Sequence, residues 1–302
     1  MKTTILSLLI IAVLASCTST SEKAESETSS EPSATVAKTP EFSLVPVWST
    51  DSILLTPESA IYDEARNVIY VSNINQDPWE MDGNGFISKV NVEGKVTELN
   101  WVTNLNAPKG MGLIENSLYV TDNDAVVQID VLTGEIKSRV TCSDVDAKLN
   151  DITVGKDNRI YVSGSESSKV YMLQADSLIV FSEGEYERPN GLLAEEDRLL
   201  ILSFNGAAMS AINFESNEFI RLANGLGKAD GIIKLSDKDG YITSSWSGQV
   251  FHISSDYTLT KLLDTEDEAI GAADIEYIAK EKLLLVPTFY DNRLMAYRVE
   301  VK

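Results

Sequence analysis

The chain has 302 residues, 43% of them hydrophobic and 24% charged, which is ample for a large packed core. Its 46 acidic side chains outnumber 25 basic ones and leave a net charge of −21. Such an excess repels phosphate backbones, so nucleic acid is excluded as a partner, whereas bound cations remain compatible with it.

Residues 1–17, "MKTTILSLLIIAVLASC", place Lys2 before an apolar run from Ile5 to Leu14. The run is too short to span a bilayer and reads as a signal sequence; no other run is long enough for a membrane span. Its end, Leu14-Ala15-Ser16-Cys17, resembles the bacterial lipoprotein box, in which the cysteine becomes the lipidated first residue. Cys17 is therefore expected to carry a lipid anchor, the only membrane contact. The expected location is the bacterial cell envelope, periplasmic or surface-exposed. Thr18 replaces the aspartate that favours inner-membrane retention and so points to the outer membrane. Processing at Cys17 leaves Cys142 unpaired, so no disulfide supports the mature chain, and Cys142 is expected to pack as a small hydrophobe. Residues 18–40 are Ser, Thr, Glu and Pro with almost nothing apolar, a flexible tether with a mean reach of roughly 25 Å.

From residue 41 to 302 short alternating segments are separated by turns, with no long run of helical period. Six units share a small-residue start, a polar second residue, an apolar strand, a turn and a β-rich strand. They are "PESAIYDEARNVIYVSN", "PKGMGLIENSLYVTD", "LNDITVGKDNRIYVSG", "PNGLLAEEDRLLILS", "ADGIIKLSDKDGYITSS" and "ADIEYIAKEKLLLVPT". The second residues, Glu58, Lys109, Asn150, Asn190, Asp230 and Asp274, are spaced by 51, 41, 40, 40 and 44. A period near 40 built of strand pairs is that of a β-propeller blade. A third strand follows in each unit, and a fourth in most; the sixth ends without one. "FSLVPVWST" at 42–50 is free to supply it. The expectation is an all-β, six-bladed propeller closed by its N-terminal strand, with no exposed sheet edge at the seam.

"EMDGNGFISKVN" at 80–91 has part of an EF-hand loop pattern, but Asn91 stands where the bidentate Glu belongs and no helices flank it. It reads as the turn into the third strand of blade one.

Inner strands line a propeller's channel, so the six second residues should face one another across it. Two carboxylates and two amide oxygens form a hard, all-oxygen set suited to Ca2+ or Mg2+ and less readily to Mn2+ or Zn2+. Lys109 beside Glu58 leaves two further readings open: an ion pair that plugs the channel without metal, or a contact for an anionic substrate. Trp79, in the long loop of blade one, and Trp246 and Tyr290 in equivalent loops are candidate rim contacts.

These residues resemble the SMP-30/gluconolactonase/LRE-like propellers, related to diisopropyl-fluorophosphatases and paraoxonases, over roughly residues 50–302. The family's metal is held by Glu, Asn, Asn and Asp on blades one, three, four and five, matched here by Glu58 in "PES", Asn150 in "LNDI", Asn190 in "RPNGL" and Asp230 in "ADGI". The resemblance implies a metal-dependent hydrolase of a lactone or related ester, with calcium the foremost cofactor and a small molecule as substrate. Asp230 is the candidate general base or nucleophile, Lys109 and Asp274 further substrate contacts, and a monomer is expected. The sequence departs from the gluconolactonase branch at Lys148, where an Arg is usual, and from the paraoxonases' second calcium site at Ser59. The competing reading is a non-catalytic propeller that binds a protein or glycan at the envelope. His252, the single histidine, falls on a third strand away from the channel, which excludes a Ser-His-Asp triad. Quinoprotein-type oxidoreduction lacks the histidines and basic residues it needs.

Overall fold

The computed structural model describes residues 41–301, so the expected signal sequence, Cys17 and the tether lie outside the described residues. In blade one the alternating runs become antiparallel strands Pro57–Asp63, Val68–Asn73, Gly85–Val90 and Val96–Leu105, paired in that order. Five more four-stranded sheets follow, with inner strands Pro108–Ile114, Leu149–Val154, Pro189–Ala194, Ala229–Ser236 and Glu276–Ile278. The last sheet takes its outer strand from the other end of the chain. Phe42–Ser49 pairs antiparallel with Leu294–Val301, from Phe42 opposite Val301 to Ser49 opposite Met295. The fold is the expected six-bladed propeller with N-terminal closure. Among the described residues no helix is long and apolar enough to cross a membrane.

Each blade buries both faces, so its apolar side chains are shared with two neighbours. Among the described residues six apolar clusters lie one at each blade interface, where Tyr70, Ile87, Met111, Val120 and Val127, for example, join blades one and two, and a seventh gathers Ile74, Ala107, Ala273 and Phe289. Each buried Val, Leu or Ile contributes about 1.5–3 kcal/mol, which makes these interfaces the main stabilising term. The closing strand serves two of them: Phe42 packs between blades five and six, and Trp48 packs against the cluster between six and one. Trp48 also donates from Nε1 to Val92 O at 2.9 Å, and its ring lies so close over Gly94 (φ +85°) that a Cβ there would come within 2.5 Å. Cys142 is buried among apolar neighbours, as expected. His252 is buried too, with Nε2 2.6 Å from Asp239 O and its ring 4.3 Å from that of Phe42, a structural placement far from the inner strands.

The stretch resembling a calcium loop is the turn into the strand Gly85–Val90, where Asn84 N donates to Asp82 Oδ1 at 3.1 Å.

Candidate functional site

The inner strands of blades one to five each carry a bulge at the residue singled out by the repeat. Register shifts fall between Pro57 and Ser59, Pro108 and Met111, Leu149 and Ile152, Pro189 and Leu192, and Ala229 and Ile232. A bulge frees backbone groups and re-aims a side chain, here toward the axis. Hydroxyls on the second strand satisfy the freed N–H groups: Ser72 accepts from Ser59 N (3.0 Å), Ser163 from Asp151 N (2.9 Å) and Ser244 from Gly231 N (2.8 Å). Further hydroxyls tie blade to blade, with Ser165 donating to Pro189 O at 2.9 Å and Ser244 to Ala273 O at 2.6 Å. Glycines allow the close approach: a Cβ on Gly191 would lie 1.9 Å from Asp230 O, and one on Gly110 2.3 Å from Asp151 Oδ1.

At one end of the channel is a cavity of about 280 Å3. Glu58, Lys109, Asn150, Asn190 and Asp230 all line it, as do Trp79, Trp246 and Tyr290. Five of the six ring positions and all three proposed rim aromatics thus share one site. Asn150 Nδ2 donates to Ser165 Oγ at 3.2 Å, which commits the amide nitrogen and leaves its oxygen as the available acceptor. Glu58 Oε2 and Asp230 Oδ1 are buried without any hydrogen-bond partner. Burial holds both carboxyls well above the usual carboxylate range. Repulsion from Asp230 and Asp274 adds to the effect at Glu58, against a smaller pull from Lys109. For Asp230 the repulsion comes from Asp274, opposed by a hydrogen bond from Asn190 and the charge of Arg188.

These orphaned oxygens and the two amides fit a divalent cation: hard oxygen donors, two of them on carboxyl groups and unsatisfied. Among the described residues no three His, Cys, Asp or Glu side chains gather as a metal site, so a cation here would rely on the amide oxygens as well. Lys109 forms no ion pair within 4 Å with Glu58, although each lies in the other's field. Its Nζ donates to Ala107 O at 3.0 Å and lies 4.1 Å from the centre of the Trp79 ring. Burial pulls its pKa down to about 8, against the field of Glu58 and Asp122.

Asp274 is placed differently from its repeat equivalents. Its N–H donates to Glu58 O at 2.9 Å and its Oδ2 accepts from Ser59 Oγ at 2.6 Å, which turns the carboxyl down the channel. There it lines a second cavity of about 610 Å3 with Asp151 and Glu276, reached by the same inner strands further along their length. Blade six has the shortest inner strand, Glu276–Ile278, and Asp274 precedes it, bridged only to Ser59. Asp274 thus does not line the upper cavity, though its charge acts on Glu58 and Asp230 there.

The sequence reading missed Arg188, Lys228, Phe204 and Phe289, which line the upper cavity as well. A signal for two of them was present, because each basic residue stands two positions before a candidate ligand. A separate surface cleft of about 680 Å3 carries Glu195, Arg198 and Lys234, but these neutralise one another at 2.6 Å.

No protein-family model matches the sequence, and no curated protein is significantly similar to it. Among solved structures the chain is similar to a putative gluconolactonase (TM-score 0.65, 13% identity, 86% of this chain and 93% of that one). It is also similar to a streptogramin B lyase (TM-score 0.62, 13% identity, 86% and 98%). A third likeness is to a catalytically inactive histidine-to-alanine variant of virginiamycin B lyase from Staphylococcus aureus with quinupristin (TM-score 0.55, 13% identity, 85% and 99%). At such identities the likeness shows the fold alone, a six-bladed β-propeller, here with a cavity at one end of its channel.

Proposed function

We propose that the protein is a hydrolase of a lactone or related ester, dependent on a divalent cation held by Glu58, Asn150, Asn190 and Asp230, calcium foremost. The observation that carries this reading is a pair of buried, unpartnered carboxylate oxygens, on Glu58 and Asp230, whose side chains line one cavity. A bound cation would supply Lewis-acid polarisation of the substrate carbonyl. Glu58 and Asp230 would neutralise it, and the amide oxygens of Asn150 and Asn190 would complete the protein's share of its donors. With one carboxylate oxygen on the cation, Asp230 would take the proton of the attacking water with the other. Trp79, Trp246 and Phe289 would keep bulk water from the reacting centre.

The putative gluconolactonase among the structural neighbours supports this choice of reaction. Chemistry dependent on a channel histidine is disfavoured here, since His252 is buried on an outer part of blade five and bonded to Asp239 O. The proposal also takes Cys17 as a lipid anchor that holds a monomeric domain at the envelope. Titrating acid release from a panel of neutral and charged lactones, with calcium and with chelator, tests the reaction. Calcium-dependent turnover that Asp230→Asn reduces by about 100-fold or more would support it. Absence of turnover across the panel, with the cation bound, would favour the binding-propeller alternative.

A further inference from the structure

The upper cavity is cationic in a chain of net charge −21. In three consecutive blades a basic residue stands two positions before the candidate ligand: Lys148 before Asn150, Arg188 before Asn190 and Lys228 before Asp230. Arg188 and Lys228 line the cavity together with Lys109. Lys148 sits just behind, 5.6 Å from the centre of the Trp79 ring.

These cations rest on aromatic faces rather than on acids. The guanidinium of Arg188 is 5.0 Å from the Phe204 ring and Lys228 Nζ is 4.8 Å from that of Trp246, and the two rings are 6.4 Å apart. Such contacts hold a cation in place while its outer face keeps its hydrogen-bonding capacity. Among the described residues Lys228 has no ion-pair partner, and Arg188 has only the half-exposed Glu166 at 3.4 Å, a weak surface contact. Glu187, the next acid at the rim, is engaged by Arg221 at 3.1 Å. Lys148 and Arg188 also hold left-handed backbone (φ 50° and 69°), a conformation uncommon for such residues and retained here at the cavity's edge. Three lining cations thus face two carboxylates on the floor, and a floor cation would leave the cavity more positive still.

From this collar we infer that the ligand carries a non-reacting anionic group, a carboxylate or phosphoryl, seated between Arg188 and Lys228 above the floor. The inference rests on the hydrolase reading for what happens at the floor, but not for recognition at the rim. Full-length, calcium-loaded protein would be titrated with a cyclopentanone bearing a ring carboxylate, which cannot be hydrolysed, and with its neutral primary amide. The carboxylate should bind about tenfold or more tightly, and Lys228→Gln or Arg188→Gln should close that gap, as expected for loss of one charge-assisted contact. Lys156→Gln, remote and paired with Glu196, should keep it. Displacement of the carboxylate probe by inorganic phosphate more readily than by acetate would assign a phosphoryl group; the reverse order would assign a carboxylate. Equal binding of carboxylate and amide, or a gap indifferent to both cavity substitutions, would overturn the inference. Hydrolysis of the matching lactones is read separately: discrimination without turnover would sink the hydrolase reading and leave the collar, and turnover without discrimination would do the opposite.

Discussion

Asp274→Asn should make the metal-free protein more stable, and more so as pH rises. Burial raises the Asp274 carboxyl to about 7 from an ordinary 3.8. A raised acid contributes its full stability below its unfolded value, then loses it as pH climbs to the folded one. The difference of about 3 units corresponds to about 4 kcal/mol above pH 7. Asp274 keeps part of its surface open to the lower cavity, which screens the charge and brings the expected gain at pH 8 to about 2–3 kcal/mol. The amide oxygen can still accept from Ser59 Oγ, so the main contact survives. Denaturant unfolding in chelator at pH 5.5 and 8 measures the effect, with an unchanged m-value required for a fair comparison. The variant's advantage at pH 5.5 should be about half of that at pH 8. A variant no more stable than wild type at pH 8, or one with the same advantage at both pH values, would refute the assignment of Asp274 as a buried, uncompensated acid.

Other perturbations separate the frame from the site. Gly191→Ala drives a Cβ to within 1.9 Å of Asp230 O and should lower stability by about 3 kcal/mol or more, read by thermal unfolding; an unaffected variant would contradict the close blade contact. Trp48→Ala removes the bond to Val92 O and the packing that seals the ring, and about 2 kcal/mol of loss in a denaturant titration is expected for this half-buried ring. Calcium affinity should rise from pH 5.5 to 8, with proton release on binding, because burial raises the Glu58 and Asp230 carboxyls well above the ordinary range and the cation must displace protons from them. A pH-independent affinity would show that the raised carboxyls are not the ligands.

The repeat made most of the architecture legible. Its period gave the blades, and the missing fourth strand of the last unit pointed to Phe42–Ser49 as the closing strand, which pairs as expected. Equal positions in the repeat also brought Glu58, Asn150, Asn190 and Asp230 together from distant parts of the chain. Repeat position does not fix where a side chain turns, and there the reading ended. Asp274 matches Asp230 in sequence, yet the Ser59 hydroxyl draws it to the lower cavity. Lys109 and Glu58 are neighbours in the ring, yet a backbone carbonyl and an indole face hold the ammonium apart. The basic residues before Asn150, Asn190 and Asp230 were visible as letters. Their meaning depends on Phe204 and Trp246 in other strands and loops, whose proximity only the fold supplies.

The claim at the centre of this account is that the four inner-strand residues hold a divalent cation. Calorimetric titration of calcium into chelator-treated protein, with Asn150→Ala and Asp230→Asn in parallel, tests it most directly. One site in the wild type, weakened at least tenfold by Asn150→Ala and lost with Asp230→Asn, is the expected result. Absence of calcium, magnesium, manganese and zinc binding to wild type, or binding unchanged by both substitutions, would contradict it.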